Sequence, residues 1–85
     1  MTAGPPPLAL DVTGLNCPLP FLKLRRTLRG LPAGTRLEVL SNDPLAPGDF
    51  AELCESQGHL LVETSQRDGV TRTLIEVGPP AQGAK

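Results

Sequence analysis

The residues best suited to chemistry fall in one short run, Gly14-Leu15-Asn16-Cys17-Pro18-Leu19-Pro20. Cys17 is the candidate nucleophile. Cysteine reacts as its thiolate, and a helix N-terminus stabilises that form, lowering the thiol pKa from about 8.5 toward neutrality. The prolines predict such an N-terminus here. With Cys17 at the N-cap, Pro18 is the first helical residue and Pro20 the third, where a missing N–H does no harm. A proline two residues later would break the helix, so the start is predicted to within about one residue. The only donors then left beside the sulfur are the N–H groups of Cys17 and Leu19. Pro18, Leu19 and Pro20 therefore shape the site, the rings stiffening the turn so that the sulfur keeps one direction. Ionisation, exposure and fixed aim are what a nucleophile needs. The competing reading is an inert cysteine that fills space, as free cysteines often do. Against it, strand-to-helix junctions usually lie at the surface, and cysteine is a poor structural N-cap beside Ser, Asp or Asn.

The remaining candidates are few. Cys54 falls on the Phe50–Leu53–Cys54 face of a predicted helix and reads as core. His59, the one histidine, falls at the end of that helix. It reads as a helix-end or solvated residue, with a Cys17–His59 dyad as the catalytic alternative. Two cysteines and one histidine at scattered spacing fall short of a zinc site, and the glycine spacing matches no dinucleotide motif. The reading assigns no metal and no cofactor. Cys17 then suits covalent carriage of a group better than autonomous multiple-turnover catalysis.

The elements that must position Cys17 follow from periodicity. Leu8, Leu10 and Val12 alternate with Ala9, Asp11 and Thr13, the period of a half-buried strand. Gly14 to Asn16 break it. A helix is predicted from about Pro18 to Arg29, with Phe21, Leu24 and Leu28 facing the core and Gly30 as its C-terminal cap. Pro32-Ala33-Gly34 reads as a turn, and Thr35 to Ser41 as a second strand with Leu37 and Val39 on one face. After Asn42-Asp43-Pro44 comes a second helix whose start is ambiguous at Pro47-Gly48. Asp49 with Glu52 resembles a capping box that would mark the regular start. Ala46, Phe50 and Leu53 are spaced for burial, and Gly58 closes the helix. Leu60 to Ser65 and Val70 to Val77 read as a hairpin turning at Arg67-Asp68-Gly69. The order β-α-β-α-β-β implies an α+β fold: a two-layer α/β sandwich with two helices on one face of a four-stranded mixed sheet.

Composition sets the bounds. The 85 residues fit one domain, at 8–77, between Pro/Gly/Ala-rich segments 1–7 and 78–85 that read as flexible tails. A chain this short buries only about 60–65% of its unfolded surface. With two Phe and no Trp or Tyr, Leu and Val must supply most of the core. No apolar run approaches the roughly 18 residues of a membrane span, and the N-terminus lacks signal-peptide features. The cytoplasm is the expected compartment, where cysteines stay as thiols. The net charge is −1, which does not point to nucleic acid. The cations are unevenly spread, however. Lys23, Arg25, Arg26, Arg29 and Arg36 share the stretch from Cys17 to Leu37, which holds no Asp or Glu. Lys23 and Arg26 lie off the core-facing stripe and are candidates for partner docking.

The run LDVTGLNCPLP, Leu10 to Pro20, resembles the start of the TusA/SirA family of sulfur carrier proteins, whose hallmark is a CPxP motif after the first strand. Asn42-Asp43-Pro44, Asp49-Phe50, His59 and the Asp68-Gly69 turn are similar to the family in order and spacing, so the resemblance covers about residues 8–77. Asn16 stands where many relatives carry a charged residue. The resemblance implies a βαβαββ two-layer fold. It also implies that a cysteine desulfurase or similar donor loads Cys17 with a persulfide, which then passes to an acceptor protein. The usual route leads to 2-thiouridine in tRNA, with molybdenum-cofactor assembly or sulfur oxidation served by some relatives. The partners expected are that donor and acceptor, with no direct nucleic-acid contact and no membrane, and the carrier is expected to be monomeric.

Two rival readings stand beside this one. The architecture also resembles the C-terminal domain of a bacterial translation initiation factor, which suggests an RNA- or protein-binding module without covalent chemistry. Stacking aromatics are absent, which weighs against RNA. The other rival is a redox adaptor using Cys17 and Cys54, 37 positions apart in the sequence.

Overall fold

Alternation in the strand segments and 3.6-residue spacing in the helical ones produce six elements. A computed structural model describes residues 7–16 and 18–79. The strands are β1 (Leu8–Asp11), β2 (Arg36–Ser41), β3 (Leu60–Arg67) and β4 (Val70–Glu76), and the helices are α1 (Leu19–Arg29) and α2 (Ala46–Gln57). The strands form one mixed sheet in the order β1-β2-β4-β3. β1 runs parallel to β2, with Leu10 opposite Val39, and the other pairings are antiparallel.

Both helices cover one face of the sheet. Leu24 and Leu28 of α1, with Phe50 and Leu53 of α2, share a core with Leu37, Val39 and Ile75. Cys54 belongs to that core and is 2% exposed. The opposite sheet face carries two sets of paired charges. Arg72 bridges Glu38 and Glu63 across three strands, and Arg36 pairs with Glu76. The hairpin turns at Asp68 (φ 52°) and Gly69 (φ 81°), the positive values that a two-residue turn of type I′ requires.

Several boundaries differ from the sequence reading. β3 runs on to Arg67, which pairs with Val70, rather than ending at Ser65 with Arg67 in the turn. α2 begins at Ala46 rather than at Asp49, because Pro47 occupies its first turn, where no N–H is needed. Asp43 organises that entry: its carboxylate accepts the Leu45 N–H (3.1 Å) and its carbonyl accepts the Ala46 N–H (3.0 Å). Asp49 lies within the first turn, and no side chain caps the helix at Leu45. Gly30 ends α1, but at φ −92° rather than in the left-handed region, with its N–H turned back to Thr27. Gly58 does close α2 in the left-handed region. Gly78, assigned to the C-terminal tail by composition, is held in place. Its N–H donates to Nδ1 of His59 (3.0 Å), and a Cβ there would clash with the Gly58 carbonyl oxygen.

Candidate functional site

Parallel strands joined through helices place both helix N-termini at the same edge of the sheet, beyond the C-terminal ends of β1 and β2. The loop from β1 to α1 emerges there. Cys17 itself lies outside the described residues, but the chain on both sides of it is described, and that chain is fixed. Val12 N–H donates to the Leu40 carbonyl (2.8 Å), which extends the β1–β2 pairing beyond the strand. Asp11 accepts bonds from the backbone N–H and hydroxyl of Thr13 (2.9 and 2.6 Å). These bonds hold the Asp11 carboxyl below the usual carboxylate range. Gly14, at φ 86°, donates its N–H to Oδ1 of Asn42 (3.0 Å). The loop carrying the cysteine is thus tied to the loop entering α2.

On the helix side, α1 starts one residue later than Cys17 at the N-cap would give. Pro18 is the N-cap, Leu19 the first helical residue and Pro20 the second. The Leu19 N–H donates to the Asn16 carbonyl (2.9 Å), closing a turn that spans position 17. This corrects the expectation that the Leu19 donor stays free beside the sulfur. The two prolines still sit where the helix needs no donor. Pro20 is buried while Pro18 and Leu19 are exposed, so Pro20 plugs the helix start into the core and leaves the preceding residues at the surface.

The other candidates sit elsewhere. His59 lines a cleft of about 320 Å³ with Leu28, Arg29 and Pro32, beside the last turn of α1. Pro18, the chain neighbour of Cys17, lies at the first turn, some 15 Å away at about 1.5 Å per residue. Because Nδ1 of His59 accepts the Gly78 N–H, that nitrogen carries no proton, and partial burial lowers the imidazole pKa. A Cys17–His59 dyad has no support in this arrangement. Cys54 lies near the end of α2, where burial pushes its thiol up to about 11. A thiol held protonated is a poor redox partner, which weakens the adaptor reading. Among the described residues no group of three or more His, Cys, Asp or Glu could hold a metal ion. No helix there is long and apolar enough to cross a membrane.

Lys23 and Arg26 are exposed, as are Arg25 and Arg29. Among the described residues none of the four is in an ion pair. Sequence reasoning did not single out Asn42 as the latch for the cysteine loop, because its partner is 28 positions away. Nor did it mark Leu22, although Leu22 falls off the Phe21–Leu24–Leu28 stripe and that spacing predicts exposure.

The model of the family described as Sulfurtransferase TusA matches residues 8–77. The chain belongs to the TusA family. It is similar to a Neisseria meningitidis serogroup A protein named as a candidate sulfur carrier, at 45% identity over 79% of this chain and 90% of the relative. Sulfur carrier protein TusA of Allochromatium vinosum is 37% identical over 79% of this chain and 88% of its own. The crystal structure of a SirA-like protein from Desulfitobacterium hafniense has the same fold, with a TM-score of 0.75 at 26% identity over 84% of this chain and 97% of that one. Membership supports a sulfur-carrier role.

Proposed function

We propose that this protein accepts sulfane sulfur as a persulfide on Cys17, from a cysteine desulfurase or similar donor, and relays it to an acceptor protein. The observation that carries this reading is the anchored loop. Ties at Val12, Gly14 and Leu19 hold the chain on either side of the cysteine at the head of α1. The positive end of that helix favours a thiolate. In the loading step the Cys17 thiolate attacks the outer sulfur of the donor persulfide. Its electron pair forms the new S–S bond, the donor S–S bond breaks, and the donor sulfur leaves as thiolate. Attack by an acceptor thiolate on the outer sulfur of the Cys17 persulfide completes the relay and regenerates Cys17. No oxidant is consumed and no general base is required at either step. Such a relay suits the reducing cytoplasm, and the resemblance to sulfur carriers directs it toward 2-thiouridine in tRNA. Lys23 and Arg26 steer the loaded protein toward acidic partner surfaces.

Intact-mass measurement after incubation with a purified cysteine desulfurase and cysteine tests the reading. Wild type and Cys54→Ser should gain one sulfur, and Cys17→Ser should gain none. Equal loss in both variants would instead support a dithiol mechanism.

A further inference from the structure

A groove of about 580 Å³ runs between α1 and the edge strand β1. Its floor is apolar, formed by Leu10, Leu19 and Leu22, and Lys23, Arg26 and Arg29 make its rim basic. The helix spacing explains the grouping. Positions 19, 22, 23, 26 and 29 share one side of α1, while Pro20, Leu24 and Leu28 are buried on the other. Leu19 is 50% and Leu22 46% exposed. Leaving large aliphatic side chains in water at a groove of this size is the pattern of an interaction site.

Resting on the carrier reading above, we infer that this groove is the docking site for an acidic, apolar segment of the protein that exchanges sulfur with Cys17. Charge complementarity selects that occupant. The rim cations have no ion-pair partner among the described residues, whereas Arg36 and Arg72 on the sheet face are paired. Carboxylates on an incoming segment would supply the missing partners as its aliphatic residues cover the leucines. A second copy of this chain fits poorly, since a two-fold contact would bring the same cations face to face. RNA fits poorly because the groove offers leucines where bases need aromatic platforms. The site begins at Leu19, two residues from Cys17, so a segment seated here holds its own sulfur-bearing group near the head of α1.

Charge and apolar floor act on different rates. Cations at the rim accelerate encounter and lose effect as salt rises; burial of Leu22 lengthens residence. The test measures sulfur transfer from a purified, cysteine-loaded cysteine desulfurase to wild type, Leu22→Glu, the double reversal Lys23→Glu/Arg26→Glu, and Leu60→Glu. Leu60 is 58% exposed on β3 and serves as the surface control. Loading from inorganic polysulfide, which needs no docking, is measured in parallel. Leu22→Glu should raise the KM for protein-borne sulfur roughly tenfold at every salt concentration. The double reversal should slow transfer most at low salt, and Leu60→Glu should behave as wild type. All variants should load equally from polysulfide; failure of wild type there would sink the carrier reading rather than the groove. Transfer to Leu22→Glu at the wild-type rate would overturn the docking site. Direct binding of a fluorescent Glu/Leu peptide, weakened by Leu22→Glu, supports it independently of sulfur chemistry. Tighter binding of single-stranded RNA or anionic vesicles than of that peptide, or self-association lost in Leu22→Glu, would assign the groove to those occupants instead.

Discussion

Each end of the helical layer has one of the two cysteines in its chain segment, and the fold surrounds the two segments differently. At the end where both helices begin, a cysteine loop is latched by Asn42 and by the Asn16–Leu19 turn, and Pro18 and Leu19 are left in solvent. At the end where both helices finish, Cys54 is packed into the core and His59 spends its free nitrogen on Gly78. The contrast is one of solvent and dipole, since both ends have a cysteine in sequence reach while the one histidine, His59, lies only at the closing end. A helix start flanked by exposed residues favours a thiolate. A cysteine buried near a helix end is held neutral.

The sharpest way to break the comparison is to open the packed end. Gly78→Ala puts a methyl against the Gly58 carbonyl and should cost about 1–3 kcal/mol of stability in urea unfolding. An unchanged midpoint would show that this end is looser than described. At the other end, Asn42→Ala removes the acceptor for the Gly14 N–H and should cost about 1 kcal/mol. It should also slow transfer to and from protein partners while polysulfide loading of Cys17 persists. Equal effects on both forms of loading would mean that Asn42 acts on the cysteine itself rather than on the aim of its loop.

Titration sharpens the contrast further. In the folded protein, alkylation near neutral pH should modify one cysteine only, with Cys54 reacting as the pH approaches 11 or once the chain unfolds. A raised thiol pKa favours the protonated form in the fold. The stability it contributes is therefore complete below the unfolded value of about 8.5 and is lost as pH rises toward 11. Cys54→Ala should show a flatter decline over that range. The smallest expected effect belongs to His59, whose pKa burial lowers. Its neutral form is favoured by the fold, so its contribution is present above about 6.5 and lost as pH falls below it. His59→Ala should remove that acid-side slope.

Much of this was legible in the chain because local physics decided it. Alternation at Leu8, Leu10 and Val12, the 3.6-residue spacing of Phe21, Leu24 and Leu28, and the Asp68-Gly69 turn each determine a local geometry that tertiary context then kept. The CPxP run determined where α1 could begin, to within the one residue that separates Cys17 from Pro18, because proline cannot lie deeper in a helix without breaking it. The start of α2 was harder to read, since Pro47 and Asp49 are both compatible with a first turn. Only Asp43 folding back on Leu45 and Ala46 settled it. The latch from Asn42 to Gly14, the burial of Cys54, the pairing of His59 with Gly78 and the leucine groove beside β1 required the fold. Each depends on which residues meet across the sheet or between helices, and such meetings come from the packing of surfaces far apart in the chain. Sequence by itself therefore determined which cysteine lies just ahead of a helix, because the prolines after it limit where that helix can start, while the tertiary structure decided what holds that loop still and what surface lies open beside it.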